Sequence, residues 1–435
     1  MVMALLFGGL FIGLTPPFQS PDEPNHFLRA YQVSEGRLFP EKIENRRLGG
    51  YLPTSLQAVA DSFAYLKNDH QARLRPGLLE SSQAIPLRPD HRTFLDFANT
   101  AVYAPTAYLP QAAAIALLRP LGAGPLVLLY AARLANLLVW VLLIGAALHT
   151  LPALHRPVAA LALLPASLVV AASANADVLT NGLCWWLFAG FCQPAVRSRW
   201  WTIVAFAAVC AAKVVTLPLG LLYGLHQKNR RYFATLLALG VVAAVGWGIL
   251  AQHWFISYDA YDPHYRDTQT LNEGVRPTAQ LHFVAAQPFT FLQVAAQSYG
   301  RALPSTLAHF VGKFGWGKNY LPTGWIVALW VAILGLLCCE TGSWTRQQRG
   351  WALLVTLLFV GLFSIAMYAL WCPVGAGELT NLQGRYFVPI APVLVLAVNN
   401  KWLVPYSRFI VPVAFGMLFL GNVTMVGAMV GRWWW

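Results

Sequence analysis

"PLVLLYAARLANLLVWVLLIGAAL", residues 125–148, decides the fold class of this chain. A helix needs about 20 mainly apolar residues to cross the hydrocarbon core of a bilayer, and this run is long enough, with Arg133 as its single charged residue. Further runs of this kind occupy 157–174, 177–193, 232–254, 322–340, 350–371, 384–400 and 408–430. The chain is therefore predicted to be an all-α polytopic membrane protein.

Two other stretches are expected to add spans of less regular form. The stretch 200–225 is long but contains Lys213 and Pro218, which predicts two short helices that meet near Lys213. Met1 to Leu14 lacks the basic start and the cleavage site of a signal peptide, so we interpret it as a short, retained first span. The prediction is a single integral membrane domain, 1–435, with about 11 transmembrane helices.

The composition agrees with this class. Of 435 residues, 57% are hydrophobic and 11% are charged, and the mean hydropathy is +0.53, which excludes an ordinary soluble protein. The six cysteines show neither metal-binding nor disulfide spacing and are interpreted as small core residues. The net charge of +13 would suggest a nucleic-acid partner in a soluble protein, so the position of the charges matters.

Two large polar segments, 16–124 and 255–321, interrupt the apolar runs. The moderately apolar piece 103–122 could span the membrane or lie on its surface. If it lies on the surface and 200–225 crosses twice, the short loops on one side collect ten basic residues and one acid, Glu340. The basic residues are Arg156, Arg197, Arg199, Lys228, Arg230, Arg231, Arg346, Arg349, Lys401 and Arg408. The positive-inside rule then places the N-terminus in the cytoplasm and both large segments outside, and no nucleic-acid partner is needed.

This topology brings four polar elements to the outer membrane boundary, where one cavity could hold them. They are "SPDEPNHFLRAY" (20–31), "SANAD" (173–177), Lys213 and "CPVGAGELTNLQGRY" (372–386).

The first of these elements has two interpretations. Ser20 and Glu23 have the spacing of a capping box at the start of a helix, which would explain the acids structurally. On that helix, Asp22, His26 and Arg29 would follow at i, i+4 and i+7 and form one polar stripe. A carboxylate, an imidazole and a guanidinium on one face suit proton transfer beside an anionic group, and we favour this functional interpretation.

The other elements are more ambiguous. "SANAD" is typical of a tight turn in which Asn175 or Asp177 caps the next helix, and this structural interpretation is favoured. Arg133 is costly inside a membrane and is therefore a functional candidate, although it could equally be a structural partner for a carbonyl or a carboxylate. Lys213 could be functional or could extend to the membrane interface.

Arg385 opens a predicted span at the outer boundary. Arginine suits bidentate recognition of phosphate, so a phosphate site and a lipid-headgroup anchor are both open. Tyr386 beside it could be an interfacial aromatic residue.

Four motifs resemble, in order along the chain, the bacterial predicted-membrane-protein family called domain of unknown function 2142 (DUF2142): "PPFQSPDEPNHFLRAYQVSEG", "YAPTAYLPQA", "LPASLVVAASANADVLTNGL" and "LQGRYFVPIAPVLVLA". This family is similar in layout to the glycosyltransferases of clan C (GT-C). The resemblance implies a bacterial inner-membrane enzyme with a large first outer loop that carries amphipathic helices. Its partners would be the bilayer, a polyprenyl-phosphate-linked sugar donor and a glycan or other cell-envelope acceptor at the periplasmic face.

Residue roles follow from the same resemblance. Asp22 and Glu23 occupy the position of the clan's first acidic motif, where an acid acts as general base or helps to bind a divalent metal such as Mg or Mn. Asp177 matches the second acidic site loosely, but "SANAD" lacks a paired-acid metal motif. Any metal site would use these three acids.

The predicted function is transfer of a sugar from the lipid carrier for cell-envelope polysaccharide biosynthesis, with inversion expected by analogy. Asp22 is the predicted base and Glu23 its helper. Phosphate binding is assigned to Arg385, Arg29 and Lys213. The supporting residues are His26, Asn175, Asp177, Arg133, Glu378, Gln383 and Tyr386.

Two alternatives remain open at this point. A flippase for lipid-linked sugars would use broken helices and an arginine for phosphate. An outer-face glycan polymerase or ligase would depend more on basic residues than on Asp22. In the enzyme, 103–122 and the amphipathic stretch 282–315 could form a vestibule for the isoprenoid tail, or both could simply be packing lids.

Overall fold

A computed structural model of the chain describes residues 1–67, 69, 71–193, 199–225, 230–269 and 271–435. Arg197 and Lys228, which were assigned to the basic loops, lie outside these ranges.

The described chain is mostly helical. Its α-helices are α1 Val2–Leu14, α2 Glu23–Ser34, α3 Thr54–Ser62, α4 Leu78–Gln83, α5 Ala98–Ala101, α6 Leu109–Leu118, α7 Pro125–Thr150, α8 His155–Ala162, α9 Pro165–Ala171, α10 Asp177–Cys192, α11 Arg199–Ala212, α12 Arg230–Trp254, α13 Pro277–Ala286, α14 Pro288–Gly312, α15 Thr323–Cys338, α16 Arg346–Trp371, α17 Ala391–Val398 and α18 Ser407–Trp433. The 3-10 helices are Ala64–Leu66, Pro105–Tyr108, Arg119–Leu121, Val214–Leu225, Arg266–Thr268, Gly384–Ile390 and Val404–Tyr406.

The all-α prediction is wrong in one place, the first large polar loop. This loop contains an antiparallel sheet of strands β1 Glu41–Ile43, β2 Arg47–Pro53 and β3 Arg92–Asp96, in the order β1-β2-β3. The sequence does not predict this sheet, because its strands are short and lack a clear apolar alternation.

Four helical segments in the described ranges are long and apolar enough to cross a membrane: α7, α12, α16 and the segment Val404–Trp433 that contains α18. Shorter apolar helices accompany them: Val2–Leu14, Arg199–Ala212, Val214–Gly224, Thr323–Cys338 and Gly384–Val398. A membrane protein is thus supported, but the predicted total of about 11 spans is not confirmed.

Proline explains why several predicted spans are divided. Proline has no backbone N–H and interrupts the helical hydrogen-bond ladder. The run 157–174 is divided into α8 and α9, and α9 begins at Pro165. The predicted break near Lys213 is confirmed, since α11 ends at Ala212 and a 3-10 helix begins at Val214.

The ambiguous piece 103–122 does not form a spanning helix. Its α-helical part, α6, has 10 residues. At 1.5 Å per residue this is about 15 Å, half of the hydrocarbon thickness. The helix packs against α2 and α7 instead.

Hydrogen bonds connect the first large loop to the second large loop and to the end of α18. The hydroxyl of Tyr261 donates a hydrogen bond to Asp96 (2.6 Å) and so fixes the second loop to β3. At the other end, Trp434 Nε1 donates to the carbonyl of Leu14 (2.9 Å), and the Trp433 carbonyl accepts from the Leu74 N–H (2.7 Å). The end of α18 therefore holds both the end of α1 and the first loop.

Candidate active site

Asp22 occupies the turn that connects α1 to α2. Helix α2 begins at Glu23, so Asp22 is its N-cap residue, and its backbone is left-handed with φ 61°. Aspartate adopts this conformation more readily than most residues, at a cost of about 1–2 kcal/mol. The Asp22 side chain makes no capping hydrogen bond, and the predicted Ser20–Glu23 capping box does not form. The Asp22 carboxylate is therefore directed away from its own helix.

The Asp22 carboxylate meets Arg385, which is 363 residues away in the sequence. Arg385 Nη2 lies 3.3 Å from Asp22 Oδ2, and the two side chains are 16% and 22% exposed. Asn99 Nδ2 donates to the other carboxylate oxygen at 3.3 Å. The hydroxyl of Tyr386 also accepts from Arg385, at 3.4 Å. The structure thus brings together the predicted base and the predicted phosphate-binding arginine.

A close backbone approach explains the position of Arg385. A Cβ atom on Gly384 would lie 2.3 Å from both the Phe310 nitrogen and the Thr306 oxygen of α14. Contacts under 3.0 Å do not occur for real Cβ atoms, so this position requires glycine. Gly384 therefore lets the 3-10 helix that carries Arg385 pack directly on α14.

A second ion pair joins two other predicted residues. Lys213 Nζ lies 2.5 Å from Asp177 Oδ1. Lys213 occupies the junction after α11, and Asp177 begins α10. The side chain of Asn175 accepts a hydrogen bond from the Asp177 N–H at 2.6 Å, so a turn precedes α10, although the N-cap residue itself is Ala176 and has no side-chain cap. The Asn175 carbonyl also accepts from Gln111 and Asn136, at 2.9 and 3.0 Å.

His26 interacts electrostatically with both ion pairs. Its Nδ1 lies 2.8 Å from the Tyr108 hydroxyl, and its ring centre lies 5.9 Å from that of Tyr103. Burial lowers the pKa of His26 to about 4; the two acids of the ion pairs raise it and the two cations lower it further. His26 is therefore neutral at pH 7. The Nδ1 atom of a neutral imidazole donates a hydrogen bond in one tautomer and accepts one in the other.

Glu23 and Arg133 form a structural pair, which corrects the role predicted for Glu23. Both side chains are 0% exposed. Arg133 donates to both Glu23 oxygens at 2.8 and 2.6 Å, and to the carbonyls of Ile12, Thr15 and Pro16 at 3.1, 2.7 and 3.0 Å. Glu23 accepts a third bond from the Ala174 N–H at 3.0 Å. Its carboxylate is fully engaged and cannot serve as the helper of Asp22.

Three other predicted residues have their hydrogen bonds or ion pairs with groups other than Asp22, Arg385, Asp177 and Lys213. Arg29 is 0% exposed and donates to Gln32 and to the carbonyls of Leu38 and Tyr103, at 2.5, 2.7 and 3.4 Å. The predicted stripe of Asp22, His26 and Arg29 is therefore wrong as a single reactive face. Glu378 has a 62% exposed side chain 3.9 Å from Arg301, and Gln383 donates to Asn381.

Other residues of the site were missed from the sequence. Asn99, Tyr103 and Tyr108 come from the first loop, and His309 and Lys313 come from the C-terminal end of α14. The sequence predicts for the stretch 282–315 either a vestibule or a packing lid, and not a set of site residues. No local pattern links its His309 and Lys313 to Arg385, because that proximity depends on the Gly384 packing.

The donor set does not fit the metal that the resemblance implied. Among the described residues, no group of three or more His, Cys, Asp or Glu side chains is positioned to hold a metal ion. Glu23 is bound to Arg133 and Asp177 to Lys213.

The family model described as "predicted membrane protein (DUF2142)" matches residues 5–394 of the chain. The chain belongs to the DUF2142 family. The DUF2142 match includes Asp22, Asp177, Lys213 and Arg385, whereas α18 lies beyond it. No curated protein and no solved structure matches the chain.

The cluster places a carboxylate next to a guanidinium, two groups that an acid–base reaction beside an anion would use. Asp22 is ionisable and partly exposed, and Arg385 supplies a guanidinium next to it. Carboxylates act as general bases, and cations stabilise charge that develops on phosphate.

Proposed function

We propose that this protein is a membrane glycosyltransferase that takes a sugar from a polyprenyl-phosphate carrier and transfers it to a cell-envelope acceptor at the periplasmic face of a bacterial inner membrane. The observation that carries the proposal is the contact of Asp22 with Arg385. It joins a candidate base to a candidate phosphate ligand, and both side chains remain partly exposed to substrate.

The proposed chemistry has one bond-forming and one bond-breaking event. An acceptor hydroxyl loses its proton to Asp22, and its oxygen attacks the anomeric carbon of the sugar. The bond between that carbon and the phosphate oxygen breaks, and its electron pair remains on the phosphate. Arg385 stabilises this charge, and attack from the opposite face inverts the configuration. No step is assigned to a metal.

The ion pair of Asp22 and Arg385 fits this sequence of events. A donor phosphate would compete with Asp22 for Arg385, so that donor binding releases the carboxylate. The left-handed backbone at Asp22 supports a functional role, since strained residues concentrate at active sites. The Asp177–Lys213 pair, which interacts electrostatically with the same His26, would orient the substrates.

One observation favours a flippase for lipid-linked sugars as a second candidate. The chain is broken at Lys213 between α11 and the following 3-10 helix, and interrupted helices are typical of transporters. A flippase would not need the Asp22 carboxylate for proton transfer.

The test is sugar transfer by purified protein in liposomes, from a panel of polyprenyl-phosphate sugars. Asp22→Asn should lower the rate by about 100- to 10,000-fold, because the amide cannot accept the proton. Asp90→Asn changes an exposed acid of the same loop and should have no effect. Undiminished transfer by Asp22→Asn would exclude Asp22 as the base. Lipid-linked sugar that crosses the bilayer at equal rates with both variants, without transfer, would favour the flippase.

A further inference from the structure

Three polar atoms, one on Arg385 and two on the nearby His309, lack hydrogen-bond partners in the described part of the protein. Arg385 Nε and both ring nitrogens of His309 are buried and have no hydrogen-bond partner in the described part of the protein. Leaving a buried polar group without a partner destabilises the protein, because the group has lost its hydrogen bonds to water. A ligand that accepts from Arg385 Nε and pairs with His309 would satisfy these groups.

The end of α14 places His309 and a lysine next to Arg385. Gly384 packs between Thr306 and Phe310, so the turn of α14 that contains His309 faces the 3-10 helix of Arg385. Thr306 Oγ1 also donates to the Leu382 carbonyl at 3.3 Å. The arrangement is fixed by backbone contacts and not by flexible side chains alone.

Tyr320 holds the two side chains from α14. Its ring stacks on His309 with centres 5.2 Å apart and an angle of 21°. The backbones of Lys313 and Tyr320 form an antiparallel bridge, and Lys313 Nζ lies 5.6 Å from the Tyr320 ring centre. Tyr320 therefore positions two hydrogen-bond donors, the imidazole of His309 and the ammonium group of Lys313.

The ionisation states follow from burial and from Arg385. Burial, assisted by Lys313 and Arg385, lowers the pKa of His309 to about 4. Burial and Arg385 lower the pKa of Lys313 to about 8. At pH 7, His309 is neutral and can donate one hydrogen bond, whereas Lys313 is mostly protonated.

The charge of the site indicates what kind of anion it takes. Arg385, Lys213 and Lys313 are positive, and Asp22 and Asp177 are negative, which leaves one positive charge. A phosphodiester carries one negative charge and balances this excess. A diphosphate carries at least two and would leave negative charge uncompensated in a partly buried site.

We propose that Arg385, His309 and Lys313 form a phosphate subsite for a singly charged phosphodiester, the linkage of a polyprenyl monophosphate sugar, and not for a diphosphate carrier. The assignment to a sugar donor rests on the function proposed above. The chemistry is shared with phospholipid headgroups, so the test separates these two sources.

The test measures equilibrium binding of farnesyl methyl phosphate to the full-length protein in detergent, by isothermal titration calorimetry. This probe is a prenyl phosphodiester with one charge and no sugar. Lys313→Gln and His309→Phe should each weaken binding about tenfold, the effect of losing about 1.4 kcal/mol. His309→Phe keeps the ring stack on Tyr320, and thermal unfolding of each variant reports whether it is folded. Lys318→Gln, an exposed lysine of the adjoining loop, is the matched control and should not change the affinity.

Competitors define the specificity. Farnesyl diphosphate should bind at least about tenfold more weakly than the diester, and phosphatidylglycerol should not displace the probe at equal concentration. Tighter binding of the diphosphate, or displacement by phosphatidylglycerol, would overturn the assignment. Unchanged affinity in both folded variants would overturn it as well.

The outcome is separable from that of the proposed function. Asp22→Asn should bind the probe at least as tightly as the native protein, because Arg385 loses its competing carboxylate. Probe binding that depends on Lys313, without transfer from any sugar donor, would uphold the subsite and reject the glycosyltransferase. Sugar transfer that is unaffected by Lys313→Gln would uphold the glycosyltransferase and reject the subsite.

Discussion

The buried pair of Glu23 and Arg133 makes the strongest prediction for stability. Glu23→Gln removes the negative charge and places an amide N–H group against a guanidinium that can only donate. Removing one partner of a buried ion pair costs about 3–5 kcal/mol, because the other charge is left uncompensated. Three carbonyls still accept from Arg133, so we expect the lower end, about 3 kcal/mol.

The measurement is the free energy of unfolding in mixed micelles, with sodium dodecyl sulfate as denaturant. Glu23→Gln, Arg133→Gln and the double variant complete a double-mutant cycle, and their coupling should be at least about 2 kcal/mol. Glu273→Gln changes an exposed glutamate and should stay within about 0.5 kcal/mol of the native protein.

Two results would refute this reasoning. One is a loss below about 1 kcal/mol for Glu23→Gln, which would mean that water or the carbonyls compensate the charge fully. The other is a double variant as unstable as the sum of the single variants, since that would show no coupling between the two side chains.

Two further predictions concern the position of Arg385 and the effect of acid. Gly384→Ala should lower sugar transfer and weaken probe binding, because its Cβ atom would meet the Phe310 nitrogen at 2.3 Å. The control is Gly377→Ala, whose Cβ atom would meet nothing within 4 Å, and it should match the native protein in both assays. The folded-state pKa of His26 is about 4, below its ordinary value of 6.5, so its stabilisation is complete above pH 6.5 and is lost as the pH falls toward 4. His26→Phe should therefore reduce the loss of unfolding free energy between pH 6.5 and 4, by about 3 kcal/mol at most; an identical pH dependence in both proteins would contradict this.

The membrane class and part of the site could be predicted from the sequence. The features that allowed this are the local composition of single runs and the distribution of charge over the whole chain. Long apolar runs define spans, and the break at Lys213 follows from a charge and a proline in one such run. The positive-inside rule brought Asp22, Asp177 and Arg385 to one side. The structure places these residues in two ion pairs with shared electrostatic contacts.

The wrong predictions came from partners that are far away in the sequence. The spacing of Ser20 and Glu23 fits a capping box, but Glu23 binds Arg133, which is 110 residues away. A buried carboxylate gains more from a guanidinium than from a backbone N–H at a helix start. Arg133 itself had been left open as a functional or a structural residue, and its partners decide for the structural role. The proximity of His309 and Lys313 to Arg385 likewise depends on Gly384, which is distant from them in the sequence.

The contact between the end of α18 and the end of α1 has a consequence for biosynthesis. Leu14 and Trp434 are 420 residues apart, and a ribosome adds about 5–20 residues per second. Between about 20 and 80 s therefore pass after Leu14 is made before Trp434 can cover it. During that interval the nascent first loop lacks its last contacts, and a membrane chaperone that shields it would raise the yield of folded protein.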